Sequence, residues 1–252
     1  MADPEHVILA RSGPSEISRW REATWRRPNT EIPRFSLGYR LEDRGAGETF
    51  LPDYVYGRPS LDLSGAMLNK AKLSGADLSH DDLSGADLTQ SDLRQADLSG
   101  ANLQNAHLWR SNLSRANFNE ANMAGCTLGR TNLSNSVLQR ADLKGATIAF
   151  SNLSYADLEK ADLSGTDLSQ TDLSWANLSG ANLRGARLVG ANLDMADLTG
   201  ADLQGATIIN TKMNSTSLSE AIFGVTIIAN CDLTLTIGLE SVRHAGPSMI
   251  SL

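Results

Sequence analysis

The chain has 252 residues, of which 41% are hydrophobic, and it carries 29 acidic against 22 basic residues, a formal net charge of −7. It contains neither a signal peptide nor an apolar run near the roughly 18 residues that a transmembrane helix needs, so we expect no association with a membrane. The acidic balance argues against nucleic acid as the partner, because lysine and arginine make most phosphate contacts.

Residues 1–60 show no internal period, and one stretch within them has the pattern of a short helix. Ser15 can cap a helix over residues 16–27, whose large apolar side chains lie broadly on one side: Ile17, Trp20 and Trp25. Residues 38–59 contain the glycines and prolines typical of an irregular connector. We interpret residues 1–60 as a helical cap and connector; an arginine-rich helix that binds nucleic acid is the functional alternative.

From Leu63 to Leu233 a leucine or a close substitute recurs every five residues without an insertion, over 35 consecutive pentapeptides. Leucine fills 28 of these central positions, and Phe, Met or Ile fills the others. The position two residues before each centre is small, with 21 alanines among Ser, Thr and two Cys; Leu61 and Asp81 are the departures. A fixed internal period of this kind indicates a repeat architecture.

A period of five suits neither a helix nor a straight strand, because successive centres would spiral around a helix axis or alternate between the faces of a strand. The conflict disappears if each pentapeptide is a short extended piece that ends in a corner, with its centre and the residue two before it pointing inward. Twelve glycines lie two residues after a centre, and seven of them are separated by multiples of 20 residues. We interpret this spacing as one tighter corner in a four-sided coil of 20 residues.

The repeated A(D/N)LXX pattern, as in Ala96-Asp97-Leu98 and Ala201-Asp202-Leu203, resembles the pentapeptide-repeat family over residues 61–235. The resemblance implies an all-β fold, a right-handed quadrilateral β-helix, and a short N-terminal helical cap. The number of pentapeptides predicts about nine coils. A cap is expected on physical grounds as well, because a bare first coil would leave backbone groups unpaired. Residues 236–252 are then a C-terminal capping or connector segment.

Within residues 61–235, most acidic residues are aspartates at the outward position directly before a centre, and they alternate there with asparagine. This alternation favours a role in bonding the neighbouring backbone of the corners. The alternative is an acidic rod that mimics duplex DNA, the role known for the quinolone-resistance branch of the family, which binds DNA gyrase. Asp81 is the one ionisable side chain at an inward position; we expect a local bulge that turns it outward, rather than a catalytic role.

Large outward side chains align on successive coils in one part of the rod when the sequence is mapped in steps of 20. The residues that we assign to a protein-binding surface are Trp109, Arg110, Arg115, Arg130, Arg140, Phe150, Tyr155, Trp175 and Met195. Aligned exposed aromatics mark interaction sites, and Trp, Tyr and Arg are enriched in binding hot spots. The alternative is that the stacked aromatics stabilise neighbouring coils, as cross-strand pairs do.

Residues 236–252 leave the period and are rich in aliphatic side chains that need a surface to cover them. We assign self-association to Ile237, Leu239, Val242, Met249, Ile250 and Leu252. We expect a homo-oligomer through this C-terminal end, and several members of the family dimerise tail to tail. The apolar end also suggests a truncated chain, because residues 238–248 resemble the connector that precedes a TIR domain in some bacterial proteins. TIR domains in bacterial defence systems commonly cleave NAD.

No pattern in the chain indicates catalysis, a metal or a cofactor. The histidines show no ligand spacing to one another or to cysteine: His6, His80, His107 and His244. Cys126 and Cys231 fall at inward positions too far apart for a disulfide, which favours a reducing cytoplasm. The sequence therefore predicts a non-enzymatic bacterial rod that binds another protein as a scaffold or recognition region. The larger system that we expect is a TIR-linked defence protein. The alternative is a DNA mimic that binds gyrase.

Overall fold

The computed structural model describes residues 2–25 and 60–251. Its helices are α1 Pro4–Ser12 and α2 Pro14–Trp25, followed late in the chain by a 3-10 helix, Leu239–Ser241. Its strands are β1 Thr207–Ile209, β2 Ile222–Phe223, β3 Ile227–Ala229, β4 Arg243–His244 and β5 Met249–Ser251. The connector predicted over residues 38–59 lies outside the described residues.

The repeat region forms a coil that returns to the same side after 20 residues. Parallel bridges join residues 20 apart on all four sides, from Asp62 with Asp82 through to Asp202 with Ile222. Each turn of the coil therefore has four sides, one for each pentapeptide, and its backbone hydrogen bonds run to the turns before and after it. The 20-residue period predicted from the glycine spacing is confirmed.

The interior is filled by the central side chains of the pentapeptides. Every centre from Leu63 to Ile228 is buried, as predicted, and Leu233 is partly buried against the same core. Each buried leucine stabilises the fold by roughly 1.5–3 kcal/mol. Where the small inward residue is Ser or Thr, its hydroxyl donates to a main-chain carbonyl, in most cases one of the previous coil, as from Ser111 Oγ to the Leu88 oxygen at 2.6 Å; Thr131 and Ser136 donate instead to carbonyls three residues earlier. These polar substitutions for alanine are therefore satisfied inside the core.

All four corners of the coil use left-handed backbone. The residue two after each centre has a positive φ throughout residues 65–230, with 58° at Arg110 and 62° at Trp175 beside 66° at Gly65. The prediction that glycines mark one tighter corner was therefore wrong. A residue with a side chain pays about 1–2 kcal/mol for this conformation. The cost is offset because the corner N–H bonds the next coil, as from Lys70 to the Thr89 oxygen at 2.9 Å, while the side chain points to solvent.

The corner at Val225 offers a direct test of this strain. Val225 is β-branched, 68% exposed and has a φ of 57°, so its side chain contributes little packing and opposes the conformation. We expect Val225→Gly to raise the free energy of unfolding by about 0.5–1 kcal/mol, measured by urea denaturation. The matched control is Gly205→Val, one coil earlier in the same column, which should lower it by a similar amount. A loss of stability in Val225→Gly would contradict the assignment of strain.

Outward aspartates and asparagines build the corners. Asp82 Oδ1 accepts a hydrogen bond from the Ser84 N–H at 3.0 Å, and Asn102 Nδ2 donates to the same oxygen at 3.0 Å from one coil further on. The first bond closes the turn, and the second joins two coils. An asparagine stacked on an aspartate thus gains a hydrogen bond where a second aspartate would add repulsion. The predicted role of these residues in bonding the corner backbone is confirmed.

The N-terminal segment contains two helices where the sequence predicted one. Helix α1 begins after Asp3, whose carboxylate accepts the Glu5 N–H at 2.8 Å, and ends at Gly13 with a φ of 101°. Its buried residues are only His6 and Ala10, so it shows little apolar periodicity. Helix α2 begins at Pro14, before the predicted cap Ser15, and its buried face includes Ile17.

Both helices bond the exposed backbone of the first coil. In later coils the carbonyl of the outward Asp or Asn accepts an N–H from the coil before it, as the Asp82 oxygen does from Leu63 at 2.7 Å. Within the described residues no coil precedes the first one, and the N-terminal segment supplies donors to three of the corresponding carbonyls: Asp3 N to Asp62 at 3.2 Å, Arg11 Nη2 to Met67 at 2.7 Å, and Arg21 Nη1 to Asp77. His6 Nδ1 accepts the Asp62 N–H at 2.9 Å.

Asp81 stays inside the coil, and the predicted outward bulge was wrong. Its side chain is buried, with Oδ2 at 2.5 Å from Arg21 Nη2, and Oδ1 accepts the Leu61 N–H at 2.8 Å. The bridges between Asp62, Asp82 and Asn102 continue past it without a change of spacing. A charge is tolerated in the core because a helix from 60 residues earlier brings its counter-ion.

The C-terminal segment continues the coil with a looser spacing. Ser217 bridges Ile237 at the regular 20 residues, and then β2 pairs with β4 and β3 with β5, both in parallel. The paired residues are Ile222 with Arg243 and Ile227 with Met249. The separation in sequence between partners therefore grows by one residue at each of these two pairings. Of the residues assigned to self-association, Ile237, Leu239, Met249 and Ile250 are exposed, and Val242 is partly buried. Leu252 lies outside the described residues.

Candidate protein-binding surface

Two neighbouring corners carry the large outward side chains, and we call them the first and second aromatic edges. The first edge consists of Trp109, Arg110, Arg130 and Phe150. The second consists of Arg115, Tyr155, Trp175 and Met195. Phe150 is 61% exposed and Trp175 is 53% exposed, so neither side chain is covered by the fold. Their corner conformation, with positive φ at both residues, directs the side chains to solvent.

The second aromatic edge is organised by ring stacking. The Tyr155 and Trp175 rings lie parallel within 9°, with their centroids 5.9 Å apart. This contact between successive coils agrees with a stabilising role for the pair. It also leaves the outer surface of both rings exposed, with Met195 extending the same column.

The first aromatic edge contains a shallow notch between two aromatic side chains. Trp109 and Phe150 lie two coils apart, roughly 10 Å at the usual spacing of strands. Small residues line the space between them: Thr127, Gly129, Thr147 and Ala149. The guanidinium of Arg110 lies over the Trp109 ring at 4.0 Å, and that of Arg130 lies 5.8 Å from the Phe150 ring. The notch thus has apolar walls and a positively charged rim.

The side of the coil between the two edges is neutral and rich in hydrogen-bond donors. Its outward column holds Asn112, Asn132 and Asn152 on three successive coils, between Asp92 and Asp172. The Oδ1 atoms of these asparagines accept the N–H of the corner serines that follow them, at 2.9–3.2 Å. Among residues 2–25 and 60–251 the Nδ2 groups of these asparagines donate to no acceptor, so they remain available as donors. We call these three residues the asparagine face.

Charge on this part of the rod is opposite to that of the whole chain. Residues 107–155 contain five basic and two acidic residues, although the chain carries −7. Among the described residues Arg110, Arg115 and Arg130 form no ion pair, whereas Arg140 lies at a different corner and contacts Glu120 at 3.4 Å. Asp92 lies in the same column, one coil before Asn112, and two side-chain hydrogen bonds from Arg94 lower the pKa of its carboxylate.

The structure brings eight of the nine assigned residues to two adjacent edges and places Arg140 apart from them. Sequence reasoning missed the residues that line the notch and the asparagine face. One signal was available for the notch: Gly129 directly follows a centre, and it is not one of the corner glycines. Its φ is outside the left-handed region, so the backbone does not require glycine there. The asparagines were hidden because Asn recurs all along the rod.

The described residues show no arrangement typical of a metal site or a membrane anchor. Within residues 2–25 and 60–251, no group of three His, Cys, Asp or Glu side chains could hold a metal ion. No helix in the same ranges has the length and apolar character needed to span a bilayer. Burial raises the pKa of the Cys126 thiol to about 12, so it stays protonated and donates to the Leu103 oxygen at 2.9 Å.

Comparison with protein families identifies the repeat. The family model for pentapeptide repeats matches eight copies in this chain, over residues 61–80, 82–119, 96–135, 111–148, 141–180, 166–205 and 186–224. Asp81 is the one position between 61 and 224 that falls outside these matches. No curated protein matches the sequence.

Solved structures agree with this match. HetL, a pentapeptide repeat protein involved in heterocyst differentiation regulation in the cyanobacterium Nostoc, is 34% identical with a TM-score of 0.55, over 69% of this chain and 81% of HetL. A pentapeptide repeat protein from the Arabidopsis thaliana thylakoid lumen is 36% identical with a TM-score of 0.29, over 34% and 63% of the two chains. QnrB1, a plasmid-mediated fluoroquinolone resistance protein, is 24% identical with a TM-score of 0.40, over 54% and 73%. The family match and the similarity to HetL imply that the four-sided coil is a right-handed quadrilateral β-helix, and the chain belongs to the pentapeptide-repeat family.

Proposed function

We propose that this chain is a non-enzymatic rod that binds another protein through its two aromatic edges and the asparagine face between them. The observation that carries the proposal is the coincidence of exposed aromatics, unpaired arginines and outward amide donors on one part of the surface. Trp, Tyr and Arg are the residues most enriched in binding hot spots. The rigid coil holds them at fixed spacings, so little conformational entropy is lost on binding.

A paired set of variants tests this proposal. We expect the purified chain to retain a protein from an extract of its host that a Phe150→Asn, Trp175→Asn double variant does not retain. Asparagine tolerates the left-handed corner, so the variant keeps its fold while losing both rings. The partner should then rebind in purified form with at least about a 30-fold difference in affinity between the two chains. Equal retention by both chains would reject the aromatic edges as the binding surface.

The gyrase-binding alternative has less support from the surface. The outward aspartates hydrogen-bond their own corners, as Asp162 does with the Ser164 N–H at 2.9 Å, and asparagines and arginines interrupt their columns. We therefore expect no inhibition of DNA gyrase supercoiling at concentrations where a gyrase-binding member of the family inhibits. Inhibition that weakens when Asp142 and Asp162 are changed to Asn would favour the DNA mimic instead.

We also propose that residues 236–252 mediate self-association. Supporting this, β5 is the outermost strand of its sheet among the described residues, and Met249 and Ile250 on it are 67% and 50% exposed. An uncovered strand edge beside apolar side chains favours pairing with a second copy. Light scattering should give a dimer or larger assembly for the full chain and a smaller species for a chain ending at Leu235. A monomeric full chain at tens of micromolar would reject this proposal.

Helices α1 and α2 are proposed as the N-terminal cap, on the strength of the hydrogen bonds that they make to the first coil. A reducing cytoplasm is proposed as the location because Cys126 and Cys231 are unpaired and buried. A TIR-linked defence system is proposed as the setting, on the resemblance of residues 238–248 alone. A reading frame that encodes no TIR domain after Leu252 would remove that setting and leave the binding surface unaffected.

A further inference from the structure

We propose that the partner presents an acidic segment with one large apolar side chain, and that this side chain enters the notch between Trp109 and Phe150. This inference rests on the proposed function and specifies the chemistry of the partner at the first aromatic edge. The apolar walls of the notch select an aromatic or aliphatic group. The arginines at the rim select carboxylates, because they are positively charged. The amide donors of the asparagine face select main-chain carbonyls and carboxylates.

The size of the notch follows from two small residues. Gly129 and Ala149 succeed Trp109 in its column, where the next residue is Ser169. A β-carbon built on Gly129 would lie 3.4 Å from Trp109 Cδ1 and 3.5 Å from the Ala149 oxygen, which are ordinary contact distances. A β-carbon is therefore tolerated at position 129, and a longer side chain there would occupy the floor of the notch. Glycine at this position keeps open a space that the fold does not need.

Charge complementarity selects an acidic segment over a neutral or basic one. Arg110 and Arg130 present two cations at the rim, both held near aromatic rings and both without a carboxylate partner among the described residues. The asparagine face adds outward amide donors and no carboxylate over three coils. A segment carrying Asp or Glu on each side of its apolar residue would meet donors on both flanks. Elsewhere the acidic rod would repel it, so the segment is directed to this surface.

A peptide is favoured over nucleic acid because the cationic surface is short. Arg110 and Arg130 belong to successive coils, about 5 Å apart in the stack. Nucleic-acid binding takes several phosphate contacts in a row, and the neighbouring columns turn acidic at Asp92 and Asp172. A phosphate backbone extending beyond three coils would therefore meet carboxylates.

The experiment uses the full chain and three probes that carry a fluorescent label, and binding is followed by the fluorescence anisotropy of that label. The first probe is a short peptide with a central Phe flanked by Asp and Glu, the second replaces these by Asn and Gln, and the third is single-stranded oligothymidine. We expect the acidic peptide to bind at least about tenfold more tightly than the neutral one, with a difference that shrinks at high salt. Gly129→Leu should abolish binding of the acidic peptide, and an Arg110→Gln, Arg130→Gln double variant should weaken it about tenfold.

Arg140→Gln is the matched control, because it removes one arginine at the same level of the rod from a different corner and should leave binding unchanged. Equal binding of the acidic and neutral peptides would overturn the acidic partner while leaving the aromatic edges as a protein-binding surface. Binding of oligothymidine in place of both peptides would overturn the inference in favour of nucleic acid. Absence of binding by all three probes would also overturn it, and the extract experiment with Phe150→Asn, Trp175→Asn would then decide the proposed function separately.

Discussion

Leu163→Asp is expected to unfold the coils around it. Leu163 is fully buried at the centre of a pentapeptide, and its N–H bonds the Asn182 oxygen of the next coil at 2.7 Å. Removing a buried leucine side chain costs about 2–5 kcal/mol, and an unpaired carboxylate in the same place adds several more. Because each coil contacts only its neighbours, we expect loss of structure to begin there and spread along the rod. Circular dichroism in urea and amide hydrogen exchange should both detect it.

The neighbouring residue supplies the control for this prediction. Asp162 points outward, and its Oδ1 accepts hydrogen bonds from the Ser164 N–H at 2.9 Å and Asn182 Nδ2 at 3.0 Å. An amide oxygen can accept both, so Asp162→Asn should change the free energy of unfolding by less than about 0.5 kcal/mol. Equal damage from the two substitutions would contradict the assignment of inward and outward positions.

The second large effect is expected at the ion pair between Arg21 and Asp81. Asp81→Ala restores the small residue found at almost every equivalent position, and yet we expect it to destabilise the chain by about 3–5 kcal/mol. The reason is that the buried guanidinium of Arg21 loses its nearer carboxylate and keeps the half-exposed Asp77 carboxylate at 3.5 Å, while the Leu61 N–H loses its acceptor. Arg21→Met should also destabilise the chain, because it removes the guanidinium that lies 2.5 Å from the buried Asp81 carboxylate.

A double-mutant cycle separates the ion pair from simple packing. The Arg21→Met, Asp81→Ala variant removes both charges, so its cost should fall well below the sum of the two single substitutions. Hydrogen exchange at the first coil would show whether α2 has detached. Additive costs would mean that the pair is not coupled, and a stable Asp81→Ala chain with an ordered α2 would contradict the proposed role of this contact in capping.

The positions of the repeated residues in the fold could be predicted from the sequence alone. The five-residue period predicts which side chains face inward, because a coil with one side for each pentapeptide buries all the central side chains from Leu63 to Ile228 together. The 20-residue length of one coil was also predicted correctly, although the reason given for it, a single tight corner, was wrong. Glycine spacing pointed to one special corner, whereas hydrogen bonding to the next coil imposes the same left-handed backbone on Arg110 and Trp175.

Residues that occur once needed the tertiary structure. Asp81 seemed misplaced because its partner Arg21 is 60 residues away, and the sequence did not show that the predicted helix packs against the first coil. The aromatic edges were found by mapping in steps of 20, since their members are large. The notch at Gly129 was not found, because an open space is defined by neighbours that come from other coils.

The sequence by itself determined the repeat, the coil and the inward side chains, since these follow from a local pattern copied 35 times. The tertiary structure alone decided how α1 and α2 bond the first coil, how the segment after Leu235 continues the stack, and which outward residues share a surface. Each of these depends on single contacts between distant parts of the chain. A local pattern specifies what every coil has in common, and distant contacts specify what makes one coil different from the next.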